Sequence, residues 1–150
     1  MLPSNLTFRA AWSALAGLLV VAGCGAPLTT GQAPDFYATQ AQARIYALDA
    51  TSFEVVPPIG AEGAAYWCAA ADFARHRLGA GWSQDIYVQK GRADSVVNGR
   101  IETVTFTLDP TARAEPLTLI RRAYGFKPGD RFSLSTAEGF CRELEPLPFL

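Results

Sequence analysis

The hydrophobic positions of this chain change their spacing from segment to segment, and each spacing predicts an element. Residues 10 to 21 form an apolar run without a charge, set between Arg9 and the small residues Ala22 and Gly23. At twelve residues it is shorter than the roughly 20 that a membrane-spanning helix needs. Residues 25 to 42, with Pro27, Gly31 and Pro34, show no apolar period and are expected to be a flexible tether. From Arg44 the pattern turns to strand: Ile45-Tyr46-Ala47-Leu48 and Phe53-Glu54-Val55-Val56 predict one bent strand or two short ones, stopped by Pro57-Pro58.

Between Ala64 and Leu78 the period becomes helical. Tyr66, Ala70, Phe73 and Arg77, with Trp67, Ala71, Ala74 and Leu78, recur at spacings of three and four, and Gly79 follows. The aromatic side of this helix is expected to face a core, and Asp72, Arg75 and His76 to face water. Past it, Asp85 to Gln89 alternates, as do Val104, Phe106 and Leu108 between threonines up to Pro110. Asn98-Gly99 predicts a two-residue type I′ hairpin. Lys127-Pro128-Gly129-Asp130 predicts a second hairpin, joining Leu117–Tyr124 to Arg131–Ser135. Ser135-Thr136-Ala137-Glu138 has the form of a capping box, placing Cys141 on a short helical turn. The fold class that follows is α+β, a mostly antiparallel sheet of four to six strands in a meander, packed by the helix at about 64–78. Residues 43–150 are expected to be a single domain.

The segment ending at Cys24 carries the clearest statement about fate. Arg9, the charge-free apolar stretch and Val21-Ala22-Gly23-Cys24 resemble the signal peptide and lipobox of bacterial lipoproteins. The resemblance implies cleavage of residues 1–23, palmitate-type acylation of Cys24, and a mature chain of residues 24–150 held in the membrane by more than one acyl chain. Gly25 stands where an aspartate would mark inner-membrane retention, which favours an outer-membrane address facing the periplasm. An ordinary secretory signal and an uncleaved anchor are the alternatives.

Charge and cysteine usage narrow the functions. Without Arg9 the mature chain holds 12 basic and 14 acidic residues, and no basic stripe tracks a phosphate backbone, so nucleic acid is not an expected partner. Cys68 and Cys141 remain after Cys24, and in an oxidising compartment they are expected to form a disulfide. Closing a loop of about 73 residues, that bridge would contribute roughly 4 kcal/mol. With a single histidine in the chain, no metal site and no cofactor are expected.

Enzymatic chemistry finds little support. His76 lies eight residues from Cys68 on one helix, about 12 Å along its axis, too far for a nucleophile and its base. The nucleophile-elbow and phosphate-loop patterns are absent. Asp72, Asp85, Asp94, Glu102 and Asp109 are scattered without a motif. No catalytic residue is assigned, and a structural or partner-binding role in the cell envelope is expected. A periplasmic module holding a small molecule or peptide against Trp82, Tyr87 and Tyr124 is the alternative, and an enzyme of unknown class a further one. The stretches Tyr66–Arg75 and Thr105–Pro110 resemble segments of small uncharacterised exported proteins of α-proteobacteria, a likeness that implies export and one domain and supplies no activity.

Overall fold

The computed structural model describes residues 31–100, 102–112 and 125–145. They form an open six-stranded antiparallel sheet with a main helix and a short second helix, an α+β arrangement. The strands are β1 (Phe36–Ala38), β2 (Ala43–Ala47), β3 (Ser52–Val56), β4 (Asp85–Ala93), β5 (Thr103–Thr107) and β6 (Arg131–Ser133). The helices are α1 (Gly63–His76) and α2 (Leu134–Gly139), and a 3₁₀ turn, Phe140–Leu144, follows α2.

The two alternatives for residues 45–56 resolve as two strands. Asp49 closes their hairpin: its Oδ1 accepts from the backbone N–H groups of Thr51 and Ser52, each at 2.8 Å. Those two bonds hold the Asp49 carboxyl below its ordinary value of 3.8. β1 lies inside the stretch expected to be tether. Phe36 pairs with Ile45 and Ala38 with Ala43, while Asp35 Oδ2 accepts the Ala47 N–H at 2.8 Å. Three residues are too few for a period-2 signal to stand out.

The strand order is β1-β2-β3-β5-β4-β6, so the expected meander does not form. β3 and β4 are both antiparallel to β5 and therefore parallel to each other, and parallel strands need a crossover, which α1 supplies. β5 then returns into the gap between them. β4 meets β5 with register shifts between Val88 and Lys90 and between Lys90 and Ala93. At Gly91 a Cβ would lie 2.5 Å from the Phe126 carbonyl oxygen, so the close approach of the two backbones needs glycine there.

α1 begins one residue before the predicted helix and ends two before its predicted end. At Gly79 φ is +67°, which turns the chain so that the Ala80 N–H reaches the Ala74 carbonyl at 2.9 Å. Helix and sheet meet through Ile45, Phe53, Val55, Ile86, Val88, Val104 and Phe106, all fully buried. Trp67 stands edge-on to Phe106 and to Phe132, with ring centroids 5.0 and 4.8 Å apart, and Phe53 lies 4.7 Å from Phe73. The other side of α1 is covered as well, by α2 and the 3₁₀ turn, so only its last turn reaches water. Its alanines at 64, 65, 69, 70, 71 and 74 give room for that double packing.

Two turn expectations are corrected. Gly99 has φ +68° but Asn98 is not in the left-handed region, so the tight I′ hairpin is replaced by a longer loop. Ser95 organises it: Oγ accepts from the Val97 and Asn98 N–H groups at 3.1 and 3.0 Å, and the Ser95 N–H donates to the Arg100 carbonyl. The bulged end of β4 leaves no flat pair of strands for a two-residue turn to close. The cap of α2 is Ser133, whose Oγ accepts the Thr136 N–H at 3.3 Å; Glu138 is drawn to Arg75 and closes no capping box with Ser135. The turn at 127–130 does form, with the Asp130 N–H donating to the Lys127 carbonyl at 2.9 Å and Gly129 at φ +87°. Residues 117–124, expected to be its partner strand, lie outside the described residues.

Candidate functional site

Three regions hold the polar chemistry of the domain, and the cysteine bridge lies in the first. Cys68 of α1 and Cys141 of the 3₁₀ turn are joined, sulfur to sulfur at 2.09 Å, with Cα atoms 4.8 Å apart. Gln40 reaches the same place, its Nε2 donating to the Cys141 carbonyl at 2.9 Å. Together with Asp72, Glu138 and Arg142 these residues line an open cleft of about 320 Å³. Bonded sulfurs are not thiolates, so neither cysteine is a nucleophile or a metal ligand in this state.

Asp72 lines that cleft from the helix side, and His76 lies against Asp72. His76 Nδ1 lies 2.8 Å from Asp72 Oδ1, an i,i+4 pair on the last turn of α1, and the imidazole is 55% exposed. Solvent therefore reaches the ring, and no serine or cysteine stands within hydrogen-bond distance of it among the described residues. Arg75 pairs with Glu138 at 3.1 Å and lies 4.0 Å over the Trp82 ring.

The second region is the sheet face turned away from α1. Its residues are polar and yet buried: Ser52, Glu54, Thr103, Thr105 and Thr107 are each at most 6% exposed. Ser52 Oγ donates to Thr107 Oγ1 at 3.2 Å, and Thr103 Oγ1 to Glu54 Oε1 at 2.6 Å. Glu54 Oε2 has no partner. A buried carboxylate with one bare oxygen is costly, by about 1–3 kcal/mol for the missing hydrogen bond. Tyr66, on α1, donates to the Glu102 carbonyl at 2.5 Å, and burial pushes its phenol above the ordinary 10.0, partly offset by the Arg92 guanidinium 5.1 Å over its ring.

The third region is the amino-terminal corner of the sheet. Tyr37 on β1 and Ile59 after β3 are 51% and 82% exposed, and Arg44 on β2 stands opposite both Tyr37 and Val56.

Of the three aromatic residues expected to line a ligand site, the two that are described, Trp82 and Tyr87, lie on opposite sides of the sheet. Trp82 lies against Arg75 of α1, whereas Tyr87 alternates with the core residues Ile86 and Val88 and so faces the other side of the sheet. Tyr124 and Cys24 are outside the described residues. Glu54 had no sequence signal beyond a charge at the centre of an apolar strand; that misfit is the cue that would have found it. Among the described residues no group of three or more His, Cys, Asp or Glu could hold a metal ion, and no helix is long and apolar enough to cross a membrane.

Compared with known proteins, the chain matches no family, no curated protein and no solved structure. The class is therefore set by the architecture itself, an α+β domain with a bridged helix layer on one face of an open antiparallel sheet.

Proposed function

We propose that this chain is a lipid-anchored protein of the bacterial cell envelope, held by acyl chains on Cys24 at the outer membrane and facing the periplasm, with a non-enzymatic, partner-binding role. The observation that carries it is Val21-Ala22-Gly23-Cys24 at the end of a charge-free apolar segment too short to span. Cysteine use supports the same compartment, since a bridged pair persists where the surroundings are oxidising.

The partner surface is the amino-terminal corner. β1 is an edge strand of three residues that presents Tyr37 to solvent, and it lies where the chain arrives from the membrane. A photoreactive side chain at Tyr37, in the full chain in its native envelope, is expected to give one discrete adduct, while the same group at exposed Gln89 gives none. Equal adducts at both positions, or none at either, would remove the partner-binding reading.

A further inference from the structure

The geometry points to an oxyanion-binding site, one that takes a phosphate group, between Arg44 and Arg100 on the sheet face turned away from α1. It goes beyond the partner-binding role and needs neither a partner protein nor acylation of Cys24. Two adjoining cavities, of about 220 and 380 Å³, share these two arginines in their walls. Among the described residues, no aspartate or glutamate lines either one. Neither guanidinium has a hydrogen bond or ion pair to any described residue, unlike Arg75, Arg77 and Arg131; Arg92 and Arg142 also lack one, but Arg92 lies over two aromatic rings and Arg142 shares its cleft with Asp72, Glu138 and Glu145. Two positive charges that share a wall without a counter-charge among the described residues repel each other, and a bound anion offsets that repulsion.

The backbone that carries the donors is held in place before any ligand arrives. The Arg44 backbone is fixed by pairing on both sides of β2, opposite Tyr37 and Val56. Tyr46, two residues on, projects from the same face about 7 Å away and is only 2% exposed. Its Oη accepts from Asn98 Nδ2 at 3.2 Å, and its own proton has no acceptor among the described residues. Arg100 is set by the loop, with its N–H donating to Asn98 Oδ1 at 3.0 Å and its carbonyl accepting the Ser95 N–H. Asn98 therefore ties both halves of the site together. Two guanidinium forks and a phenol offer more donors than the two oxygens of a carboxylate take up, which is why the tetrahedral, multiply charged phosphate fits best.

Two sources could supply that group, free phosphate or the headgroup of an anionic phospholipid. The second rests on the lipid-anchor reading: Gly31 lines the larger cavity, and seven residues from an acylated Cys24 span at most about 25 Å.

The test uses the full chain, first in a phosphate-free maltoside detergent. Titration with inorganic phosphate, followed by the Nε–Hε resonances of Arg44 and Arg100 at constant ionic strength, is expected to move both together with one dissociation constant. Arg44→Gln or Arg100→Gln should weaken binding by about tenfold or more, Arg44→Lys by less because the charge stays and the fork is lost. Arg92→Gln, over the rings of Tyr66 and Phe126, should leave it unchanged. The same chain in phosphatidylglycerol bilayer discs separates the sources. Resonances already displaced and deaf to added phosphate assign the headgroup, whereas resonances that still answer phosphate assign the free ion. The inference is overturned if neither phosphate nor phosphatidylglycerol moves the two resonances, or if Arg44→Gln and Arg100→Gln bind as well as wild type.

Discussion

On one side of the sheet Ile45, Phe53, Val55, Val104 and Phe106 meet the aromatic rings of α1; on the other Tyr46, Ser52, Glu54, Thr105 and Thr107 are buried almost as completely. Equal burial hides unequal energetics. Apolar area removed from water stabilises at about 25 cal/mol per Å², so the helix side supplies folding energy directly. The far side buries groups that gain little net from bonds to one another and lose wherever one is left bare, as at Glu54 Oε2. Only the corner of that face is open to a ligand, where Arg44 and Arg100 line the two cavities.

The comparison breaks first on the helix side. Trp67→Ala should cost about 3–5 kcal/mol in urea unfolding, because it empties the centre of the aromatic cluster around Phe106 and Phe132. A loss under about 1 kcal/mol would mean that this layer does not carry the stability. Replacing both cysteines, Cys68→Ser with Cys141→Ser, should cost roughly 4 kcal/mol, the chain-entropy contribution of a bridge 73 residues apart.

Substitutions on the polar face should differ in sign as well as size. Glu54→Leu is expected to raise stability by about 1 kcal/mol, since it removes a buried carboxylate with an unmatched oxygen, and Thr103 Oγ1 keeps the Ala93 carbonyl at 3.1 Å. A marked loss there would contradict the account of that face. His76→Gln should change stability by no more than about 0.5 kcal/mol, because the ring is half exposed and its contact with Asp72 is a surface one. The smallest effect is at Asp49, whose carboxyl should titrate below 3.8 by NMR; its contribution to stability is present above that value and lost as pH falls through the lower folded one.

How much of this was legible beforehand differs between the same two faces. The helix side was readable because its residues are large, apolar and periodic: Tyr66, Trp67 and Phe73 announce α1, and Phe106 with Val104 announces β5. The class of fold followed from them. The strand order did not, since only the crossover through α1 makes β5 the neighbour of β3, and hairpin signals cannot encode a strand inserted later. The polar corner was illegible for another reason. Arg44 and Arg100 are far apart in sequence and belong to no motif, and they line the same cavities because a serine-anchored loop folds back over Tyr46. The loop departs from its sequence signal, as Asn98-Gly99 favours a tight turn that the bulges in β4 do not permit.

Mass spectrometry of the amino terminus tests the central claim most directly. Full-length protein produced in a Gram-negative envelope and extracted with detergent should begin at Cys24, carry a diacylglycerol thioether, and lose that lipid when Cys24 is replaced by serine. A chain that begins at any other residue, or an unmodified Cys24 in membrane-extracted protein, would contradict the account.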